Sequence, residues 1–240
     1  MNDPSGRRAT RSLGSGLPRS IEAAAALLLL VAASPLLLVV ALAVRLSSPG
    51  PALFRQQRMG RSGIPFTLIK FRSMVSAPST DASDVTAAGD LRVTRVGSLL
   101  RASKLDELPE LWNIVRGDMS WVGPRPEVPR HVDLQDPLWA DLLRVRPGLT
   151  DPTTLLLRNE ERLLGQIVDE SEGSVDDAYR NRLLPLKLRH SLRYLEQRSA
   201  LSDIGVLLRT AWAVVRPGAT PSLSDFERLC GDRQHADADD

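Results

Sequence analysis

An apolar run extends from Ala23 to Val44 and is interrupted only by Ser34 and Pro35. A helix of roughly 20 apolar residues is long enough to cross the hydrocarbon core of a bilayer. Proline cannot donate the helical hydrogen bond and clashes with the preceding turn, and the Ser34 hydroxyl can bond back to a carbonyl of that turn. The pattern therefore predicts a membrane helix over residues 21–46 that is sharply broken at Ser34 and Pro35.

Both flanks of this run are basic. Loops that carry arginine and lysine stay on the cytoplasmic side of a membrane, so a simple span cannot satisfy both flanks. A re-entrant helix that enters and leaves on the same side satisfies both, whereas an ordinary kinked transmembrane anchor is the alternative that these residues leave open. The basic residues are Arg7, Arg8, Arg11 and Arg19 before the run, and Arg45, Arg55, Arg58 and Arg61 after it.

Past residue 47, short alternating segments over Leu53 to Met59 and Pro65 to Phe71 predict two strands, which the glycines of residues 60–63 join as a hairpin. Cap residues and 3.6-residue periodicity predict several helices. Thr94 caps one that ends near residue 102, and Ser103 caps another that runs from Lys104 to Arg116 and stops at Gly117. Further helices are expected at residues 137–144, 176–198 and 201–216.

The predicted fold class is therefore α+β, with a broken membrane helix followed by a mostly helical domain that contains a small β-hairpin. Residues 1–20 form a disordered basic tail, residues 47–216 the main domain, and residues 217–240 a loose C-terminal tail. Residues 73–90, which are rich in Ser, Thr, Ala and Asp, are expected to be a mobile loop.

The distribution of charged residues and the composition limit the classes of function that the chain can have. The formal net charge is only +2, yet no acidic residue occurs from Ala23 to Thr80, which indicates that this part meets an anionic surface or ligand. The aromatic fraction of 4% and the apolar run argue against a nucleic-acid partner. Cys230 is the single cysteine, so an intrachain disulfide is excluded.

Asp106 and Glu107 are the candidate catalytic and metal-binding pair. Taken alone, Ser103 with Asp106 matches a helix capping box, which explains the acids without any chemistry. Many cations surround the pair in sequence, however, and carboxylates beside arginines are what a divalent-metal phosphoryl-transfer site requires. The candidate phosphate-binding residues are Lys70, Arg72, Arg101, Arg125, Arg144, Arg146 and Arg158.

Four long motifs occur in order over roughly residues 20 to 160: LLLLVAASPLLLVVALAVRLSSPGP, LFRQQRMGRSGIPFTLIKFRSM, LRVTRVGSLLRASKLDELPELWNIVRGDMSWVGPRPE and RVRPGLTDP. Together they resemble the bacterial sugar transferase family, the monotopic phosphoglycosyl transferases that act on polyprenyl phosphate. The resemblance implies that Ser34 and Pro35 break a re-entrant helix at the cytoplasmic face of the bacterial plasma membrane.

The resemblance also implies a reaction. Asp106 matches a nucleophile that takes a phosphosugar from a UDP-sugar, releases UMP, and passes the phosphosugar to polyprenyl phosphate. Glu107 matches the partner acid that helps to hold Mg²⁺, while Lys70, Arg101 and Arg125 match cationic positions of the site. Family members often carry two basic residues and an Asp before the membrane helix, whereas this chain has Arg19-Ser20-Ile21-Glu22.

Two alternatives to phosphosugar transfer are a polyprenyl-phosphate glycosyltransferase that releases UDP and a non-catalytic membrane scaffold. The only D-x-D motif that would favour the first lies in the C-terminal tail, at residues 237–239. The sequence does not identify the sugar, the glycan pathway or the oligomeric state.

Overall fold

The computed structural model describes residues 11–75, 90–157, 160–169, 174–216 and 228. Helices and two small sheets are mixed along the chain, as the predicted α+β class requires. The order of elements is α1 (Arg19–Ala32), α2 (Ser34–Ser47), β1 (Leu53–Met59), β2 (Pro65–Phe71), α3 (Arg95–Ser103), α4 (Glu110–Arg116), β3 (Ser120–Val122), α5 (Pro137–Leu142), β4 (Gly148–Thr150), α6 (Pro152–Leu156), α7 (Glu160–Asp169), α8 (Val175–Ala178), α9 (Leu184–Glu196) and α10 (Ala200–Val215).

The chain direction bends by 63° between α1 and α2. The break lies where the sequence predicts it, because Ser34 donates its hydroxyl to the Val31 carbonyl at 2.7 Å and Pro35 occupies the first turn of α2. Among the described residues no single helix has both the length and the apolar composition to cross a bilayer, whereas the bent pair meets both criteria together. Large apolar side chains on both helices are exposed, including Leu28, Val31 and Leu38.

Polar contacts fix α1 to the rest of the chain. Glu22 is buried, and its carboxylate accepts hydrogen bonds from the Ser120 hydroxyl and the Trp121 amide, both at 3.2 Å. Arg19 donates to the carbonyls of Ile114 and Val115 at the C-terminal end of α4. The pair Arg19 and Glu22 thus anchors this helix, even though an Asp is more usual at the position of Glu22 in the family that the sequence resembles.

The predicted hairpin is confirmed with the predicted strand ends. Strands β1 and β2 pair antiparallel from Leu53 with Phe71 to Met59 with Pro65. Asn113 on α4 holds the edge of β2, since its fully buried side chain accepts from the Ile69 amide and donates to the Thr67 carbonyl. The hairpin therefore packs on α4, which in turn contacts α1.

A second sheet pairs β3 with β4 in parallel, and α10 packs beside it. The largest apolar core lies among α5, α7 and α9 and includes Trp139, Leu164, Ile167, Leu183 and Leu192. The buried ion pair between Arg198 and Asp203, at 2.8 Å, joins α9 to α10.

The predicted N-terminal tail is wrong for residues 11–18, because these residues pack against the helical domain. Gly14 donates its amide to the Leu195 carbonyl, the Leu17 amide donates to Asp203, and Arg11 forms an ion pair with Glu196. Composition alone misses these contacts because the partners lie far away in sequence. Residues 1–10 and 76–89, and residues 217–240 except 228, lie outside the described residues, as do the predictions for them.

Candidate active site

Asp106 and Glu107 lie in a short 3₁₀ turn, Leu105–Glu107, between α3 and α4. The predicted helix from residue 104 to 116 is confirmed from Glu110 to its end at Gly117, but its predicted start at Lys104 is wrong. Lys104 adopts a left-handed conformation (φ 59°) that ends α3, and α4 begins only at Glu110 after Pro109. Ser103 consequently belongs to α3, where its hydroxyl bonds to the Leu99 carbonyl, and it does not cap the acids. The capping explanation for Asp106 is thereby removed.

The Asp106 side chain is largely buried, at 8% exposure, and its Oδ1 atom makes no hydrogen bond to any described residue. A buried acceptor without a partner is costly, and such groups in folded proteins usually have a functional reason. Burial raises the pKa of Asp106, and the neighbouring Glu107 charge raises it further. Asp106 is thus a buried carboxylate with one oxygen that has no hydrogen-bond partner among the described residues.

Glu107 is neutralised by two cations from different parts of the chain. Its Oε1 atom lies 3.2 Å from Lys70 Nζ on β2 and 2.9 Å from Arg125 Nη2. Burial opposes ionisation, but Lys70 and Arg125 outweigh it and hold the pKa of Glu107 well below its ordinary value. The same pairing raises the pKa of Arg125. Glu107 therefore stays ionised and holds both cations next to Asp106.

Glu110 is a third acid in the centre that the sequence reasoning did not single out. It opens α4, is almost fully buried at 1% exposure, and lies 3.0 Å from Lys70 Nζ. Burial raises the pKa of Glu110, against the effect of Lys70, and Glu107 raises it further. Its spacing of three residues from Glu107 is the available sequence signal, because such residues share one side of a turn.

Arg125 reaches Glu107 from the loop of residues 123–127. The prolines on either side of it fix two backbone angles and stiffen the loop. Arg125 also lines a pocket whose wall contains Glu127, Trp139, Asp151 and Thr154. The guanidinium therefore stands between the acid pair and a mixed apolar and polar cavity.

Three of the predicted phosphate-binding arginines have other contacts. Arg72 is buried and donates to the carbonyls of Pro49 and Ser48, where it closes the end of α2. Arg146 donates to the Gly117 carbonyl, which lies at the opposite end of α4 from Asp106. Arg144 donates to the Arg11 carbonyl. Proximity in sequence predicted these arginines, but their side chains point to carbonyl groups elsewhere.

The two remaining candidates are Arg101 and Arg158. Arg101 lies in the last turn of α3, which packs against the turn that carries Asp106. The pKa of Asp90 is lowered, chiefly by hydrogen bonds from Arg92 and to a smaller extent by Arg101, so the Arg101 guanidinium lies near Asp90. Arg158 lies outside the described residues.

The side chains that could bind a metal ion also determine which kind of metal site is possible. Within the described ranges, no three His, Cys, Asp or Glu side chains converge as a complete protein site for a metal would require. Mg²⁺ commonly takes only one or two carboxylates and completes its coordination with water and substrate phosphates. Asp106, with its unpartnered oxygen, and the adjacent Glu107 fit that second kind of site.

Fold and site together define an α+β protein in which a buried acid pair and two cations lie close to a bent apolar helix pair. Such a centre is suited to binding and transferring phosphate esters. The chain belongs to the bacterial sugar transferase family, whose model matches residues 14–217. The predicted family is thereby confirmed.

Two of the similar proteins are named as transferases that act on undecaprenyl phosphate. The chain is 52% identical over 117 residues to the UDP-glucose:undecaprenyl-phosphate glucose-1-phosphate transferase of Caulobacter vibrioides. The matched region covers 47% of this chain and 43% of that protein. It is 33% identical over 197 residues to a UDP-N-acetylgalactosamine-undecaprenyl-phosphate N-acetylgalactosaminephosphotransferase of Aeromonas hydrophila, covering 81% and 42%. The exopolysaccharide production protein ExoY of Rhizobium meliloti is 37% identical over 167 residues, covering 63% and 74%. The chain thus spans less than half the length of the first two.

Proposed function

We propose that this protein is an enzyme that transfers a sugar 1-phosphate from a UDP-sugar to polyprenyl phosphate and releases UMP. The relatives from Caulobacter and Aeromonas are named for transfers of this kind, although they act on different sugars. The observation that carries the proposal is the unpartnered, buried Oδ1 atom of Asp106, which lies beside a Glu107 already neutralised by Lys70 and Arg125.

In the first step, Asp106 Oδ1 attacks the phosphorus that bears the sugar. The bond from that phosphorus to the bridging oxygen of the diphosphate breaks, and UMP leaves with the bonding electrons. The phosphosugar is then an acyl phosphate on Asp106. Arg125 and Lys70 neutralise the phosphate oxygens while charge moves to the leaving group, which is the main contribution that a protein makes to phosphoryl transfer.

In the second step, a phosphate oxygen of polyprenyl phosphate attacks the same phosphorus. The bond to Asp106 breaks, the carboxylate is regenerated, and the product is a polyprenyl diphosphate sugar. Because one carboxylate serves both steps, the two anionic substrates never need to be bound together. The raised pKa of Asp106 indicates a carboxylate that its buried surroundings stabilise poorly and that is therefore a better nucleophile.

Mg²⁺ is the proposed cofactor, held by Asp106 and Glu107 together with the donor diphosphate. When bound, it would withdraw charge from the diphosphate and assist departure of UMP. The protein contributes the ionised state of Glu107, which Lys70 and Arg125 maintain. It also excludes water from the acids, since Asp106, Glu107 and Glu110 are all largely buried.

We place the protein at the cytoplasmic face of the bacterial plasma membrane, with α1 and α2 as a re-entrant pair. The support is the basic sequence on both sides of the pair and the exposed apolar side chains along it. Helix α10 presents a further apolar surface through Leu201, Leu208 and Trp212, all more than half exposed. Exposed apolar area of this extent is typical of a surface that contacts lipid.

Nucleotide release tests the proposal directly. Purified protein is mixed with Mg²⁺, polyprenyl phosphate and a panel of UDP-sugars, and the nucleotide product is identified by chromatography. UMP from one donor supports phosphosugar transfer. UDP would instead indicate a glycosyltransferase that leaves the phosphate behind, and no product with any donor would favour the non-catalytic scaffold.

A further inference from the structure

Backbone groups of almost every residue in the loop that presents Arg125 form hydrogen bonds to other parts of the chain. The Pro124 carbonyl accepts from the Gly148 amide at 3.0 Å, and the Glu127 carbonyl accepts from the Met59 amide at 2.8 Å. Arg58 donates to the Pro126 carbonyl at 3.1 Å. The side chain of Arg125 extends from this loop and donates to Glu107 at 2.9 Å.

The side chain of Glu127 ties the same loop to a different helix. Its Oε1 atom accepts a hydrogen bond of 2.5 Å from the Tyr179 hydroxyl and lies 3.2 Å from Lys187 Nζ. Lys187 also donates to the Tyr179 oxygen at 2.7 Å and to Glu160 at 3.0 Å. Glu127, Tyr179 and Lys187 are each less than 10% exposed, so these bonds are shielded from water. We name these three residues the loop anchor.

A π-helical turn brings the two partners of Glu127 together. Tyr179 and Lys187 are eight residues apart, and in a regular α-helix they would differ by about 80° around the axis, because 3.6 residues make a turn. The turn Tyr179–Leu183 between α8 and α9 is π-helical and takes up about one extra residue. The effective spacing becomes about seven residues, or two turns, so both side chains face Glu127. Such π-turns often occur at functional sites.

We propose that Tyr179 and Lys187 are positioning residues, which through Glu127 hold the residue 123–127 loop so that Arg125 reaches the phosphates bound at Asp106. The proposal rests on the proposed function for the identity of those phosphates. A buried charged network is seldom more stabilising than apolar packing of the same volume. Its directional bonds do fix a loop in one place, and a shift of about 1 Å in such a group is enough to slow a reaction greatly.

The test is a double-mutant cycle with two readouts, which are UDP affinity by calorimetry and UMP release at limiting UDP-sugar. Tyr179→Phe removes the hydroxyl and keeps the ring. We expect Tyr179→Phe to reduce both UDP affinity and the rate of UMP release about tenfold relative to the unaltered protein. Arg125→Ala should reduce both about a hundredfold, and the double variant should lie within about threefold of Arg125→Ala. Lys187→Met, which keeps the side-chain length, should give the same non-additive pattern and serves if Tyr179→Phe folds poorly.

Tyr194→Phe is the matched control. The hydroxyl of Tyr194 bonds to Asp203 and Ser202 at the junction with α10, so its loss should leave both readouts unchanged. If the double variant instead loses the product of the two single-variant losses, the positioning role is overturned, because a purely structural effect of Tyr179→Phe is independent of Arg125. Non-additive UDP binding without any UMP release would keep the positioning role and reject the proposed function. If the unaltered protein binds no UDP, Arg125 is not a phosphate ligand and the positioning role is also rejected.

Discussion

Arg125 Nη2 lies 2.9 Å from Glu107 Oε1, and this ion pair joins a proline-rich loop to the turn that carries Asp106. The two residues are 18 positions apart, and α4 and β3 lie between them. The pair organises the centre, because it fixes the charge of Glu107 next to Asp106, whose Oδ1 atom has no hydrogen-bond partner among the described residues.

Asp106→Asn is expected to lower UMP release by about 10³-fold or more, because an amide is a very poor nucleophile. The fold should survive. The pKa of Asp106 is raised in the folded state, so at neutral pH its charge opposes folding, and a neutral amide removes that cost. Thermal unfolding should therefore occur at the same or a higher temperature. Turnover retained in a preparation free of other transferases would reject Asp106 as the nucleophile.

Glu107→Gln should destabilise the protein as well as inactivate it. The substitution removes the buried anion that pairs with Arg125, while Lys70 keeps its contact with Glu110, and breaking a buried pair in this way costs about 3 kcal/mol in the free energy of unfolding. Urea denaturation of the variant measures this loss. Glu196→Gln is the control, because its partner Arg11 is exposed and such surface pairs contribute at most about 1 kcal/mol. Equal losses in the two variants would contradict the central role of Glu107.

Acid should weaken the loop anchor. Although burial opposes its ionisation, Lys187 and Arg58 lower the pKa of Glu127 to about 2. A carboxylate with a lowered folded-state pKa stabilises the protein above its ordinary pKa of about 4.3, and this contribution is lost as pH falls toward 2. The free energy of unfolding should thus fall between about pH 5 and pH 2, and less steeply in Glu127→Gln. Parallel pH curves for both proteins would show that Glu127 carries no such contribution.

The re-entrant arrangement predicts that both ends of the bent pair lie on the cytoplasmic side. In a Cys230→Ala background, single cysteines replace Ser12 before α1 and Ser98 on α3, both of which are exposed. Neither should react with a membrane-impermeant maleimide in intact cells, and both should react after permeabilisation. Reaction of the residue 12 cysteine alone in intact cells would establish a spanning helix instead.

The exposed apolar surface of α10 should add to membrane binding. Trp212→Gln, at a position that is 61% exposed, is expected to reduce the fraction of protein bound to anionic lipid vesicles in a flotation assay. Leu134→Gln, at a similarly exposed leucine outside α10, should leave binding unchanged. Equal effects of both changes would indicate that α10 does not contact lipid.

Local patterns predicted local structure well. The hairpin ends, the break at Ser34 and Pro35, and the Thr94 cap of α3 are confirmed, because strand alternation, proline and cap chemistry act within a few residues. The Ser103 cap is wrong because Lys104 ends α3 in a left-handed conformation that the sequence does not mark.

The candidate site was predictable only in part. The acid pair and the cations Lys70 and Arg125 are brought together as the motifs indicated. Arg72 and Arg146 contact carbonyl groups elsewhere, since sequence proximity does not give the direction of a side chain. The contacts of Tyr179 and Lys187 with Glu127 span more than 50 residues and depend on a π-turn, so nothing local in the sequence reveals them.

The most direct measurement of the central claim is a single-turnover reaction of the purified protein with a UDP-sugar labelled in the sugar, without polyprenyl phosphate. The proposed mechanism predicts one equivalent of UMP and a label attached covalently to the protein, both absent in Asp106→Asn. Addition of polyprenyl phosphate should then transfer the label to lipid. Release of UDP would contradict this mechanism. So would UMP that forms only when polyprenyl phosphate is present, if no labelled protein is found.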